Sequence, residues 1–419
     1  MRITHSMIAG RLVSAIQLNL EGLVKSQERM STGKKVNRPS DDPSGTSQIM
    51  AVMADLSATR QYLRNIQDGL SWLNQGDATM GDATGLLHQA RTLAVQGANG
   101  TLTRDDMALL AQQVDGIIDS MVNVGNASLG GKYIYAGINN NYPPFERAKS
   151  SDASGYLQIV IDGNLYKINK SVYDTSDTKK ITMQTTDNNN ITITLTREAN
   201  KTYIEEKDKN DPTKTIRTIT YYSFSGTMNL PDANNVDEQI PLAGSITIEE
   251  KPNISGGTDK TIASIDLIIF KGDSGRVQRE ISAGSVVDVN SNGKEVFLNQ
   301  PAANEDQTKP NIFEKLYLLR DALNTGDYES VEKSLGNMDN AMNWLMEHRV
   351  AMGSRTSHLE SLQSQLQDQE VRLTGVLSGL QDSDIARAAI EFQQKQLSYQ
   401  AALSAGARLL QTSLLDYLR

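Results

Sequence analysis

The sequence predicts an α+β multidomain protein: an elongated helical bundle or coiled coil formed by both chain ends, with an inserted β-rich domain. Three observations carry this prediction. Apolar residues recur at alternating spacings of four and three through the first 127 residues and again from Asn311 to the end, as helices with a packed seam require. From about Ser150 to Pro310 the chain turns to Thr, Ile, Val, Asn, Asp and Gly, with period-two alternation and hairpin dipeptides. Aromatic content is only 5% against 38% hydrophobic, which suits cores of Leu, Ile, Met and Ala.

Each element has its own local grounds. Ala9, Val13, Ile16, Leu20, Leu23, Gln27 and Met30 form the first seam, on a helix that Gly33 and Pro39 stop. Ser31–Gly45 is polar and rich in turn residues. The repeat resumes with Val52, Leu56, Thr59, Leu63, Ile66, Leu70 and Leu73, and Gly76, Gly81 and Gly85 are expected to punctuate its continuation. Thr103 with Asp106 reads as a capping box before the stripe Met107, Leu110, Val114, Ile117, Met121 and Val124. Beyond Gly130, Lys132-Tyr-Ile-Tyr135 is β-prone and Pro143-Pro144 blocks helix. Ile191–Leu195 and Ser245–Glu249 alternate, Asp162-Gly163 and Asn292-Gly293 predict hairpin turns, and Ile262–Phe270 reads as a more buried strand. This section holds 23 Asp and Glu against 17 Lys and Arg, most of the chain's net charge of -9, and so keeps a water-facing surface.

Helix returns at Asn311, with Gly326 as a stop and Asp327 as the next cap. Val331, Leu335, Met338, Met342 and Leu345 continue in heptad register, after which one seam position turns polar (Arg349, Thr356, Gln363, Glu370). The last stretch, Ser383–Arg419, places Ile385, Ala389, Phe392, Gln396, Tyr399, Leu403, Gly406 and Leu410 at seam spacings, and Leu414, Leu415 and Leu418 keep it apolar. Chain ends usually fray into polar residues, so this one needs a partner. An insertion is tolerated where its ends lie together, so the two chain ends return to one place and Ala9–Met30 partners Ser383–Leu418. The expected domains are 1–44 with 381–419 as a terminal coiled-coil and assembly region, 45–149 with 311–380 as a helical bundle, and 150–310 as the inserted β-rich domain. The expected assembly interface comprises Ala9, Val13, Ile16, Leu20, Leu23 and Met30 with Ile385, Phe392, Tyr399, Leu403, Leu410, Leu414, Leu415 and Leu418.

Catalytic and ligand sites fare poorly. The absence of cysteine excludes disulfides, Cys-ligated zinc and thiol catalysis. The acidic balance argues against nucleic acid and anionic membranes as partners, no apolar run approaches the roughly 18 residues of a membrane span, and the start lacks a cleaved secretory signal. Gly272-Asp-Ser-Gly275 resembles a serine-protease nucleophile segment, but the four histidines all lie in helical segments, so a β-turn is the better reading. His348 and His358 are ten apart, too far for a metal pair on one helix. Tyr133 and Tyr135 read as packing. No catalytic constellation, metal site or cofactor remains.

What remains is a set of motifs. The first helix followed by Glu28-Arg-Met-Ser-Thr-Gly33 and Ser40-Asp-Asp-Pro-Ser-Gly45 resembles the flagellin superfamily, and Pro43 after two acids resembles its hook–filament junction branch. Lys132-Tyr-Ile-Tyr-Ala-Gly137 with Pro144-Phe145, and the ending from Gln393-Gln394 through Tyr399-Gln-Ala-Ala402 to Ser413-Leu-Leu-Asp-Tyr-Leu418, are similar to the same group. The resemblance covers about residues 1–145 and 311–419. It implies a non-enzymatic structural adaptor of the extracellular flagellum, a ring of copies between hook-associated protein 1 and the flagellin filament. It also implies export by the flagellar type III apparatus and a chaperone on the C-terminal region before export. A minor flagellin subunit is the alternative, and a surface protein whose β domain binds a ligand is a third.

Overall fold

A computed structural model describes residues 5–153, 156–161, 164–174, 180–185, 190–195, 200–207, 215–229, 240–252, 258–299 and 311–417. Long helices occupy both ends of the chain and a sheet-rich domain is inserted between them. The chain divides into two compact units, Met1–Arg64 with Leu362–Arg419, and Asn65–Ser361. The helices are α1 (His5–Thr32), α2 (Pro43–Gly97), α3 (Arg104–Gly125), α4 (Ile312–Thr325), α5 (Tyr328–Gln381) and α6 (Ile385–Tyr417). Both α2 and α5 contribute residues to each unit.

In the second unit the predicted stripes form the helical core. Ile66, Leu73, Met80 and Leu87 of α2 are fully buried, as are Met107, Val114 and Met121 of α3 and Val331, Met338 and Leu345 of α5. The ends obey local chemistry. Thr103 and Asp106 form the expected capping box on α3. Asn311 Oδ1 accepts from the Glu314 amide at 3.0 Å, and Gly326 ends α4 at φ +72°. Asp327 caps α5 through the Ser330 amide. The glycines of α2 do not interrupt it; the helix runs unbroken for 55 residues. Gly76 lies where a Cβ would collide with Met352 Cε, and at Gly97 one would collide with Leu323 Cδ2. The missing side chains admit neighbouring residues, and packing outweighs the helix cost of about 1 kcal/mol per glycine.

Gly130 and Gly131, at φ +58° and +79°, turn a short hairpin between β1 (Ser128–Leu129) and β2 (Lys132–Tyr133), as a two-residue loop with both φ positive demands. Tyr135 is packing: its hydroxyl lies 2.6 Å from Thr79 Oγ1 and its ring meets Phe297 edge-on.

The main sheet comprises β3 (Phe145–Lys149), β4 (Ser151–Ala153), β5 (Tyr156–Ile161), β6 (Asn164–Asp174), β7 (Lys180–Thr185), β8 (Asn190–Leu195), β9 (Asn200–Lys207), β10 (Thr215–Asn229), β11 (Ile240–Pro252) and β12 (Thr258–Phe270). All its pairings are antiparallel, in the order β3-β12-β11-β10-β8-β7-β6-β5-β4, and β9 joins the first half of β10. The two end strands, β3 and β4, are consecutive pieces of one segment joined by Ser150. That residue exchanges hydrogen bonds with Ile265 through its amide and its hydroxyl, each at 2.8 Å. The sheet therefore closes on itself. Leu157, Ile159, Ile168, Met183, Ile193, Phe224, Ile246 and Leu267 share its interior core. A bulge sets β12 in phase: Ile262 pairs with Ile248 and Ser264 with Thr247, so Ala263 is extra. Without it Ile262 and Ile265, three residues apart, would face opposite sides.

Of the expected buried strand Ile262–Phe270, Ile262 and Ile265–Phe270 are buried, whereas Ala263 and Ser264 at the bulge are exposed. Ile265, Leu267 and Ile269 belong to the sheet's interior core, and the alternate side chain of Asp266 meets the helical side in a buried ionic cluster. Asp266 accepts from Arg147 Nε and Nη2 at 3.0 and 2.6 Å, from Arg320 Nη1 at 2.6 Å and from the Tyr317 hydroxyl at 2.9 Å. Arg147 also bonds Asp115 and Asp119 of α3. Arg320 pairs with Asp321, whose Oδ2 accepts from Ser223 and Ser245 at 2.7 and 2.6 Å. Both guanidiniums lie over the Tyr317 ring. Burial pushes Asp266 up, but the Arg147 hydrogen bond and the Arg320 charge outweigh it and hold its pKa below the usual range. Asp115, raised by burial and lowered more by Lys149 and Arg147, settles at about 2. Burial works to lower both arginines, but Asp266 acting on Arg147, and Asp321 with Asp266 acting on Arg320, raise them further.

Asn292-Gly293 is not the hairpin turn expected of it. The hairpin there is β13 (Gln278–Ser282) with β14 (Ser285–Asp288), and Gly293 leads into a π-helical turn, Lys294–Leu298. The Asn292 side chain accepts from the Lys294 amide at 2.8 Å, and Val296, Phe297 and Leu298 bury themselves without a strand partner. Strands β5 and β6 do pair across Asp162-Gly163, with Ile161 opposite Asn164, though the two turn residues lie outside the described set. In Gly272-Asp-Ser-Gly275 the Asp273 carboxylate is occupied by the amides of Ile138, Asn139 and Gly275, at 2.9, 2.7 and 2.6 Å, as a turn anchor is.

Asp266→Asn should destabilise the protein by about 3–5 kcal/mol, because it leaves two buried guanidiniums short of a counter-charge; chemical denaturation measures it. Asp115 and Asp266 both titrate below the free carboxyl value of about 3.9. Their contribution is complete above that value and is lost as pH falls through the folded values, about 2 for Asp115. Acid titration followed by fluorescence should therefore show the Asp266→Asn variant unfolding at a higher pH than the parent.

Candidate assembly interface

The first unit is built around two chain breaks that meet. Gly33, at φ +66°, ends α1, and its amide bonds back to Arg29 O at 2.9 Å. The chain then turns under Asp41, whose carboxylate accepts from the amides of Arg38 and Asn37 at 3.0 and 3.3 Å. The Arg38 amide is the main cause of that carboxyl's lowered pKa. Asp42 caps α2 by accepting from the Gly45 amide at 2.9 Å, and Pro43 takes the first helical position, where its missing N–H costs nothing. A Cβ on Gly45 would collide with the Asp42 carboxylate, so cap and glycine go together. Within Ser40-Asp-Asp-Pro-Ser-Gly45, Asp41 anchors the preceding turn, while Asp42, Pro43 and Gly45 start α2.

Opposite it, α5 ends at Gln381 and Asp384 caps α6 by accepting from the Ala386 and Arg387 amides at 2.9 and 3.2 Å. The two breaks are joined by backbone: Lys35 N donates to Gln381 O at 2.6 Å and Ser383 N to Gly33 O at 2.8 Å. From this bridge α1 and α6 pack antiparallel. A Cβ at Gly406 would lie 3.2 Å from Leu12 and 3.6 Å from Ile16, one at Gly22 would touch Lys395, and Arg29 pairs with Glu391 at 3.8 Å.

The pairing divides the predicted interface residues. Ile16 and Leu23 of α1 and Phe392 and Tyr399 of α6 are half-buried on the side of the pair. Val13, Leu20, Met30, Ile385 and Leu403 are exposed, Val13 by 54%, Leu20 by 43%, Ile385 by 65% and Leu403 by 44%. The side chains of Ala9, Leu410, Leu414 and Leu415, and all of Leu418, lie outside the described residues. Sequence reasoning missed the inward set of Leu12, Asn19 and Ser26, half-buried or buried, because two of its members are polar. Ser26 Oγ is satisfied by Leu23 O at 2.9 Å, which lets it be buried. Gly406 of α6 admits Leu12 and Ile16 closely, and that glycine was the available signal. A neighbouring apolar stripe, Val13, Leu20 and Val24 at spacings of seven and four, is left facing out. On α6 so are Ile390 and Leu397, seven apart.

Elsewhere in this unit Arg60 of α2 pairs with Glu370 of α5 at 2.6 Å, beside a shallow groove lined by Met53, Leu56 and Leu377. Among the described residues no group of His, Cys, Asp or Glu is placed to hold a metal, and no helix is long and apolar enough to cross a membrane.

Comparison with known proteins bears on both chain ends. Residues 3–140 match the bacterial flagellin N-terminal helical region and residues 335–418 the C-terminal helical region, together more than half of the chain. Flagellar hook-associated protein 3 of Salmonella typhimurium is 31% identical over 161 residues, 38% of this chain and 51% of that protein. Its Escherichia coli counterpart is 32% identical over 34% of this chain and 48% of its own length. The chain thus spans about half the length of these curated relatives. Flagellin D of Vibrio cholerae is 21% identical over 92% of this chain and 90% of its own. The crystal structure of Bacillus cereus FlgL aligns with a TM-score of 0.40 at 14% identity, covering 78% of this chain and 99% of that one.

The inward and outward stripes should respond differently to charge. Ile16→Asp should loosen the α1–α6 pair by about 2 kcal/mol, the order of burying an unpaired polar group. That loss reads as lower helical circular dichroism and faster proteolysis of both helices. Val13→Asp should leave both signals as in the parent.

Proposed function

The chain belongs to the flagellin superfamily of bacterial flagellar structural proteins, and on that premise we propose that it is the adaptor between hook and filament. The observation that carries the reading is the outward apolar stripe. The pair with α6 takes Leu12, Ile16, Leu23 and Ser26 of α1 and leaves a second apolar stripe, Val13, Leu20 and Val24, in water. An exposed apolar face of this length is a cost to a free subunit and a gain to one packed among others. Val13, Leu20, Met30, Ile385 and Leu403 are then contacts between copies, with Ala9, Leu410, Leu414, Leu415 and Leu418 continuing them. Ile16, Leu23, Phe392 and Tyr399 hold the pair itself together.

The relatives named hook-associated protein 3 support the junction over other flagellar positions, with hook-associated protein 1 on one side, flagellin on the other and further copies alongside. Export by the flagellar apparatus, with a chaperone shielding the α6 region beforehand, fits an apolar surface that must not find partners early. The acidic sheet domain would face the medium. A minor flagellin is the second reading, and the match along most of Flagellin D favours it.

Deleting the gene separates the two: loss of a junction adaptor releases unattached flagellin into the medium, whereas loss of a minor flagellin leaves filaments attached. The interface itself is tested by Leu403→Asp with Leu410→Asp. Filament attachment should be abolished while the monomer's unfolding free energy changes by no more than surface substitutions do, about 0.5 kcal/mol. A large drop in monomer stability would place these residues in a folded core instead.

A further inference from the structure

The chain contains two Asn-Gly steps, and the fold treats them in opposite ways. At Asn292-Gly293 both side-chain groups are engaged, Nδ2 donating to Asp273 O at 2.5 Å and Oδ1 accepting from Lys294 N at 2.8 Å. The Gly293 amide is also engaged, donating to Tyr135 O at 2.9 Å. At Asn99-Gly100, in the turn between α2 and α3, both residues are exposed, and apart from the two chain neighbours nothing lies within 4 Å of where a Cβ on Gly100 would stand. The Gly100 amide has no hydrogen-bond partner among the described residues. Among those residues the Asn99 side chain is held by one contact only, and that contact is chemically productive: Thr101 Oγ1 donates to Asn99 Oδ1 at 3.2 Å.

We infer that Asn99 is a site of self-catalysed deamidation, with the Thr101 hydroxyl as its electrophilic assistant. The Gly100 backbone nitrogen, having lost its proton to base, attacks Asn99 Cγ, and the negative charge moves onto Oδ1, where the Thr101 hydroxyl stabilises it. Collapse of that adduct, with proton transfer to Nδ2, expels ammonia and leaves a five-membered succinimide. Water then opens the ring at either carbonyl, giving aspartate or isoaspartate at position 99. No oxidant or enzyme is needed. Glycine matters twice, since the absent Cβ opens the approach and frees the backbone to close the ring. The isoaspartate product carries an extra methylene in the main chain of residue 99, whose carbonyl accepts from Leu102 N at 3.2 Å, just ahead of the capping box of α3. A subunit that stays outside the cell accumulates this change with age.

The test incubates the purified full chain in mildly alkaline buffer for days and maps peptides by mass, with isoaspartyl methyltransferase labelling as a second readout. The expected result is conversion at Asn99 while Asn292 reacts more than about tenfold more slowly, the effect of giving up at least two hydrogen bonds first. Thr101→Val should slow Asn99 by about fivefold, the worth of one hydrogen bond, with circular dichroism unchanged. Equal rates at the two sites, or no reaction at Asn99 while a synthetic peptide of residues 96–103 reacts, would overturn the proposal. An unaltered rate in Thr101→Val would remove the hydroxyl's role.

Discussion

Within Asn65–Ser361 much depends on one carboxylate. Asp266 stands on β12 and collects Arg147 from β3, and Arg320 and Tyr317 from α4. A charge in that position is tolerable only when every lone pair is occupied, and the donors come from elements far apart in sequence. Because each donor has a fixed length and direction, the cluster admits a single placement of α3 and α4 against β3, β10, β11 and β12. Apolar packing alone would tolerate small slides along these surfaces; a bidentate arginine does not. The serines at 223 and 245, pointing out of the sheet between residues that point in, extend the same constraint to two more strands.

The first unit uses a different device. There the constraint is backbone to backbone, at the bridge between Lys34 and Asp382, and side chains serve mainly as caps. Asp41, Asp42 and Asp384 each commit a carboxylate to main-chain amides next to it. The bridge sets where α1 ends and α6 begins, and Gly22 and Gly406 then set how closely they lie. What remains apolar after that, Val13, Leu20 and Val24 on α1 and Ile390 and Leu397 on α6, is exposed.

The parts legible in the sequence were those governed by neighbours in sequence. Thr103 with Asp106, Asn311, Gly326, Asp327 and Gly33 act through bonds of three or four residues' reach, so their meaning needs no tertiary knowledge. The heptad stripes were legible for the same reason, and so was the doubly buried strand of β12. Gly76 misled because a glycine admitting Met352 and a glycine ending a helix look alike until the neighbour is known. Asn292-Gly293 misled because its asparagine answers to Asp273 and Lys294, not to a strand opposite. The inward face of α1 could be read from hydrophobicity only in part: Ile16 and Leu23 were on the predicted seam, but Leu12 against Gly406, and Ser26 closed on its own helix, were not. The ionic cluster was invisible because residues 115, 147, 266 and 320 carry no local pattern.

The closure of the sheet has a consequence for how the inserted domain relates to the rest. Phe145 and Phe270, where the strand segment enters and leaves, are paired partners in the same ladder. The chain therefore departs from the helical part and returns to it through one doorway, and the ionic cluster sits in the doorframe, at Arg147 and Asp266. Everything beyond behaves as a cassette. Strands β4 to β8 can lengthen, shorten or be exchanged, and the helices would register only the frame and the β10 and β11 residues that α4 binds.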